Sequence, residues 1–263
     1  MTPQEIVDSA INDYGRKTFY GLLSGGKDSM SVCHYVADNF PDLFKGVLFC
    51  DTTIGLQETQ DFVKDECQRL GWKLYIRKPP RMSFPEWVKK FGFPKVTGHS
   101  MIMRIIKYAA MKKFAYEKAD LGEDPCFVGG ARRKESIRRM GNMAEPIYHD
   151  GRVWFCNPFI DMGTIEVYEY LTEHHLKKSP AYTNLHISGD CLCGSFASNF
   201  EAGMIRAFYP EIHEQLLELE EYLKDKNIKS DYKKWGKGGG VTQALDQTTL
   251  DILICGECSV NTQ

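Results

Sequence analysis

The sequence predicts an α/β protein: a doubly wound, mostly parallel sheet of about five strands with helices on both faces, followed by a helical, cysteine-bearing C-terminal part. Three observations point there. Short apolar runs alternate with amphipathic stretches over the first two-thirds of the chain. A glycine-rich loop, SGGKDS (24–29), sits between a strand pattern and a helix pattern. Beyond about residue 180 the alternation gives way to acid-rich helix and a lysine- and glycine-rich link. The expected organisation is a nucleotide-binding domain over 1–180, with 181–263 packed on it.

In chain order, KTFYGLL (17–23) reads as a buried strand entering the glycine loop. DSMSVCHYVADNF follows as a helix, with Met30, Cys33, His34 and Ala37 at helical spacing. FKGVLFC (44–50) is the second strand. QETQDFVKDECQRLG (57–71) is a helix with Phe62, Val63, Cys67 and Leu70 on one face and Gly71 as its stop. KLYIRK, PCFVGG and GRVWFCNPF supply three more extended pieces, and residues 98–118 and 164–177 read as helices. FYPEIHEQLLELEEYLKDK is an acidic amphipathic helix, and NIKSDYKKWGKGGGVTQ a link with little to bury. The chain carries no internal repeat and no coiled coil.

Composition bounds the function classes. The 263 residues, 43% hydrophobic and 26% charged, are those of an ordinary globular protein. No apolar run approaches the ~20 residues of a membrane helix, and MTPQEIVDSAINDYGRK has no signal-peptide core, so a cytoplasmic location is expected. The net charge of −2 conceals an asymmetry: residues 69–139 carry a net +12. Such a region is either a set of solvated lysine-rich faces or a surface for an anion, a nucleotide or a nucleic-acid backbone. No helix-turn-helix or finger module is recognisable.

The loop's chemistry is specific. Gly25 and Gly26 let the backbone approach an anion, and the helix that follows offers free N–H groups. Ser24 and Ser29 add hydroxyls and Lys27 a positive charge, while Asp28 suits a helix cap or an acid positioning Mg²⁺. The spacing matches neither G-x-x-x-x-G-K-[ST] nor G-x-G-x-x-G.

S-G-G-K-D-S after a strand resembles the pyrophosphate loop of the adenine-nucleotide alpha-hydrolase class, in which it holds the pyrophosphate of ATP or the anionic end of a sulfonucleotide. Three further stretches resemble the phosphoadenosine phosphosulfate reductase family of that class. FCDTTIGLQETQDFV (49–63) is similar to its D-T-G…P-E-T segment, with Asp51, Thr52, Glu58 and Thr59 on the pattern and Thr53 and Gln57 in place of its glycine and proline. GGARRKESIRR (129–139) is similar to G-x-R-R-x-E-S-x-x-R through Arg132, Arg133, Glu135, Ser136 and Arg139, although taken alone it also fits a solvated basic helix start. NPFIDMGTIEVYEYL (157–171) is similar to P-L-x-x-W-T-x-x-D-V-W-x-Y, with Met162 for the tryptophan. The resemblance runs over about residues 15–220. It implies catalytic roles for Lys27, Asp28, Arg132 and Arg133, and nucleotide contacts from Ser24 to Ser29, Asp51, Thr52, Glu58 and Ser136.

Of nine cysteines, those at 33, 50, 67, 126 and 156 lie singly in apolar segments and read as buried small hydrophobes. The other four form pairs, Cys191/Cys193 in SGDCLCGSF and Cys255/Cys258 in LICGECSV. Four thiolates suit a [4Fe–4S] cluster or a structural zinc equally on stoichiometry. The resemblance favours the cluster, since cluster-bearing reductases and the ATP pyrophosphatase of DNA phosphorothioation each hold one with four cysteines. It also exposes a departure, because no E-C-G-[IL]-H segment, which carries the reductases' nucleophilic cysteine, is present in the sequence.

Three readings follow. One is an ATP pyrophosphatase that adenylylates an acceptor, expected to be nucleic acid, for sulfur insertion with sulfur from a cysteine desulfurase. Another is an adenylyl-sulfate or phosphoadenylyl-sulfate reductase giving sulfite with a thioredoxin-type donor, with Arg132 and Arg133 on the anion and Cys258 or Cys255 as nucleophile. The third is a non-catalytic nucleotide-binding subunit. A homo-oligomer is expected in each.

Overall fold

The computed structural model describes residues 1–135, 145–237 and 241. Helix α1 (Pro3–Asn12) leads into β1 (Thr18–Leu22), α2 (Lys27–Asn39), β2 (Phe44–Cys50), α3 (Gln57–Leu70) and β3 (Leu74–Arg77). Helix α4 (Phe84–Phe91), α5 (His99–Met103), a π turn (Arg104–Tyr108) and α6 (Ala109–Ala119) then precede β4 (Pro125–Val128). A hairpin of β5 (Ile147–Asp150) and β6 (Val153–Cys156) is followed by α7 (Thr164–Glu173), α8 (Ala181–Leu185), α9 (Asn199–Phe208) and α10 (Pro210–Leu223).

The sheet has the order β3-β2-β1-β4-β6-β5 and is parallel except for β5, which runs antiparallel to β6 at the edge. The five expected strands are all present. The sixth, β5, is an addition that the sequence signals through Asp150-Gly151: Gly151 takes φ +61° as the first residue of a two-residue hairpin loop.

Alternation along the strands divides the core. Phe19, Val47, Phe49, Cys126 and Val128 pack on one face beneath α1, α2, α3 and α7. Tyr20, Leu48, Phe127 and Phe155 pack on the other with Phe114 of α6. A third cluster joins Phe84, Trp87, Ile102 and Ile106 to residues of the last third of the chain, among them Leu192, Leu216, Trp235 and Val241. The five single cysteines are buried in this packing, as their apolar settings suggest.

Local signals explain most boundaries. Gly71 ends α3 in the left-handed conformation (φ +69°), the stop its position implies. Helices α1 and α4 have no place in the sequence pattern above, yet both carry a capping box with a proline in the first turn, Thr2–Glu5 and Ser83–Glu86. The helix expected over 98–118 is interrupted by the π turn, whose wider backbone shifts the facing of Arg104 and Lys107. Among the described residues no helix is long and apolar enough to cross a membrane.

Two glycines with positive φ should respond differently to alanine. At Gly46 (φ +122°) an added Cβ would lie 2.2 Å from the Lys73 carbonyl oxygen, whereas at Gly71 nothing lies within 4 Å. Urea denaturation should show Gly46→Ala losing more than about 2 kcal/mol and Gly71→Ala about 1 kcal/mol.

Candidate functional site

Strand β1 delivers the glycine loop to the carboxyl end of the sheet, beside β4. There the chain's order reverses, and doubly wound sheets open a crevice. Gly25 adopts φ +81°, with Thr59 and Ser179 packed where a Cβ would stand. Gly26 is the N-cap of α2 and supplies no side-chain cap, so the first-turn N–H groups are left for something other than the helix's own cap. The two serines brace the loop: Ser29 Oγ donates to the Gly26 carbonyl at 2.9 Å and lies 3.0 Å from Ser24 Oγ.

Asp28 turns inward to cations. Its Oδ2 is 2.5 Å from Lys27 Nζ and its Oδ1 2.5 Å from Arg132 Nε. The Arg132 guanidinium is buried and also donates to the Met162 carbonyl at 3.1 Å. Arg132 therefore joins the loop after β4 to the first turn of α2, as a positioning contact beneath the glycine loop. Both Asp28 oxygens are occupied, and no group of three His, Cys, Asp or Glu gathers among the described residues. The protein's own donors thus do not fit a Mg²⁺ held by the chain in this arrangement. Arg133 pairs with Asp161 near the surface, and Ser136 and Arg139 lie outside the described residues.

A cavity of about 720 Å³ opens over the loop. Ser24, Gly26, Asp28 and Ser29 line it with Gly129, Gly130 and Asn157, and Tyr108, Tyr148 and Phe155 add a stacked aromatic wall. The pairing of an anion cradle with flat apolar rings suits a phosphorylated base.

Asp51, Thr52 and Glu58 are not brought to that cavity. They line a separate one of about 700 Å³ with Lys78 and Tyr209, and the Tyr209 hydroxyl donates to Glu58 at 3.0 Å. Thr53, in the place of the motif's glycine, holds φ +62°, a costly conformation for a β-branched residue. Its hydroxyl accepts from Phe84 N at 2.8 Å and donates to the Thr52 carbonyl at 2.6 Å, which ties the strained turn to the start of α4.

A third cavity, about 660 Å³, surrounds Cys191 and Cys193. Hydrogen bonding from Cys191, then from His99 and Ser195, holds the Cys193 thiol below the ordinary range against the opposing effect of burial, and Cys191 is raised in turn. A thiolate shared by the pair is the donor that iron or zinc takes, so the residues present fit two of the four ligands. Cys255 and Cys258 lie outside the described residues. The chain leading to them is nevertheless tied to this loop. Trp235 Nε1 donates to the Leu192 carbonyl at 2.9 Å, and buried Glu220 accepts from Trp235 N at 2.9 Å and Val241 N at 3.0 Å.

The residue common to the three cavities is Asp190, absent from the sequence-based site. Its carboxylate pairs with Lys107 and accepts from Ser188 at 2.7 Å, while its carbonyl accepts from Thr52 at 2.7 Å. Burial would depress the Lys107 ammonium, but the Asp190 carboxylate outweighs it and holds Lys107 charged. Much of the basic stretch 69–139 is committed in the same way, Arg69 to Glu66, Arg77 to Glu117 and Lys118 to Glu123. Arg104 is exposed and lines the nucleotide-sized cavity.

The family model for the phosphoadenosine phosphosulfate reductase domain matches residues 19–194. A phosphoadenosine 5′-phosphosulfate reductase of Alkalilimnicola ehrlichii is 28% identical over 166 residues, covering 63% of this chain and 65% of the relative. An adenosine 5′-phosphosulfate reductase of Bacillus mycoides is 24% identical over 180 residues, covering 67% and 72%. The crystal structure of the phosphoadenylyl-sulfate reductase of Candida auris in a phosphate complex shares the fold, with TM-score 0.50, 19% identity, and coverage of 70% of this chain and 84% of that one. The matched model runs from the strand that delivers the glycine loop through both cysteines of the C-x-C pair, and the protein is a member of the phosphoadenosine phosphosulfate reductase domain family.

Proposed function

We propose that this chain is an ATP pyrophosphatase of the family, which adenylylates an acceptor oxygen, with a nucleic acid as the acceptor, for replacement by sulfur. The observation that carries the reading is the cysteine arrangement beside the cradle. Cys191 and Cys193 stand one ion pair, Lys107–Asp190, away from the nucleotide-sized cavity. The other five described cysteines are buried in the sheet packing, where desolvation raises the Cys33, Cys50, Cys67, Cys126 and Cys156 thiols. The described chain therefore offers a ligand-type pair and no lone accessible thiol of the sort a sulfonucleotide reductase needs as nucleophile.

In this reading the acceptor oxygen attacks the α-phosphorus, the bond to the bridging oxygen breaks, and pyrophosphate leaves. The first-turn N–H groups of α2 and Lys27 hold the departing charge, and Asp28 with Arg132 fixes the turn that presents them. A [4Fe–4S] cluster on Cys191, Cys193, Cys255 and Cys258 would supply sulfur binding, with zinc on the same thiolates as the alternative; the sulfur comes from a cysteine desulfurase. Mg²⁺ would arrive with the phosphates of ATP. A second reading, sulfonucleotide reduction with a thioredoxin-type donor, is favoured by the names of the two curated relatives.

Incubation with ATP and an RNA or DNA acceptor should release pyrophosphate, and incubation with adenylyl sulfate and reduced thioredoxin should release no sulfite. Sulfite without pyrophosphate would replace the first reading by the second, and tight ATP binding with neither product would mark a non-catalytic subunit. Arg132→Met strands the Asp28 carboxylate on Lys27 alone, and thermal unfolding should show a loss of about 3 kcal/mol together with weaker ATP binding. Protein purified without oxygen should carry about four irons and broad visible absorption. Cys191→Ser and Cys193→Ser should each lose both, whereas zinc without iron would remove the cluster.

A further inference from the structure

The nucleotide-sized cavity contains a buried polar group with nothing to bond. Asn157 lies just beyond β6 and is 2% exposed. Its backbone is fixed at both ends: its N–H donates to the Pro146 carbonyl at 2.7 Å and its carbonyl accepts from Ile160 N at 3.1 Å. The side-chain oxygen rests against Gly129, where an added Cβ would come within 2.5 Å of it. The side-chain Nδ2 has no hydrogen-bond partner. Leaving such a donor dry and unpaired costs about 1–3 kcal/mol, so its persistence in a cavity wall points to a partner that the cavity's occupant brings. Ser31 and His213 also hold an unpaired buried atom but do not line this cavity; His99, which lines it as well, is hydrogen-bonded with Cys193 and belongs to the cysteine loop.

The position identifies the kind of partner. Gly130 packs so closely on the first turn of α2 that a Cβ there would lie 2.8 Å from Asp28 C and from Ser29 N. Asn157, Gly129 and Gly130 thus continue the rim formed by the uncapped N-terminus of α2 and the loop residues Ser24, Gly26 and Ser29. Tyr148 and Phe155 line the same cavity and offer a base a stacking surface. A donor on the cradle side meets acceptor oxygens.

We propose that Asn157 is a ligand-binding residue of this site, its Nδ2 donating to a phosphate or sulfate oxygen of the bound adenine nucleotide. The inference rests on the reading of this cavity as the nucleotide site. Asn157 supplies direction, because its planar amide is held between Gly129 and a fixed backbone.

Calorimetric titration of ATP, adenylyl sulfate and adenosine into wild-type protein, Asn157→Ala and Asn157→Asp tests this. Asn157→Ala should weaken ATP and adenylyl sulfate about 10- to 100-fold, and leave adenosine unchanged. Asn157→Asp, nearly isosteric and so a guard against misfolding of the truncation, should weaken both anions further by facing them with a carboxylate. Thermal midpoints near wild type confirm that the variants are folded. Unchanged affinity for the anionic ligands, or an equal loss for adenosine, would overturn the assignment while leaving the nucleotide reading standing. Failure of the wild-type protein to bind any of the three would overturn the nucleotide reading and this inference with it.

Discussion

Asp190 is the point on which the functional half of this molecule is hung. It stands between Ser188–Gly189 and the cysteine pair that follows in the SGDCLCGSF stretch. Its carboxylate holds Lys107 from the π turn and Ser188 from its own loop, and its carbonyl holds Thr52 from the end of β2. A half-buried ion pair adds little net stability from its Coulomb attraction, since desolvating the two charges offsets much of it. What it provides is registry: neither charge can be left alone in the interior. The cysteine loop, the D-T-T turn and the helix over the nucleotide-sized cavity are thereby forced to one point, and three cavities share one wall.

A second pair does the same for the phosphate cradle. Asp28 is an odd component for an anion site when the loop is considered by itself. With buried Arg132 bonded to one oxygen and Lys27 to the other, it becomes the counter-charge that lets two cations be packed together at the start of α2. The excess of positive charge over residues 69–139 is explained in part by the same device. Arg132, Arg133 and Lys107 find their acids outside that stretch, at Asp28, Asp161 and Asp190, so an imbalance along the chain becomes a set of cross-links in space.

The strands, the stop at Gly71 and the loop itself were legible because each is set by neighbours a few residues away: alternation of period two, a left-handed glycine, a strand–glycine–helix junction. Helices α1 and α4 were as local in origin, since T-P-Q-E and S-F-P-E spell their capping boxes, and only their short length hid them. Lys107, Asp190 and Asn157 were not legible. A lysine in a helix and an aspartate beside a cysteine look the same in sequence whether they point to solvent or to each other across 83 residues.

The sequence by itself determined the parallel sheet, the position of the glycine loop at a strand end, and the family, because these follow from short-range pattern and from motifs read in order. The tertiary structure decided how the motifs are shared out. Asp51, Thr52 and Glu58 face one cavity and the glycine loop another, although their motifs occur together in the family pattern. The physical reason is that motif spacing counts residues along the chain, whereas a site is defined by which buried charges and donors must find partners through space.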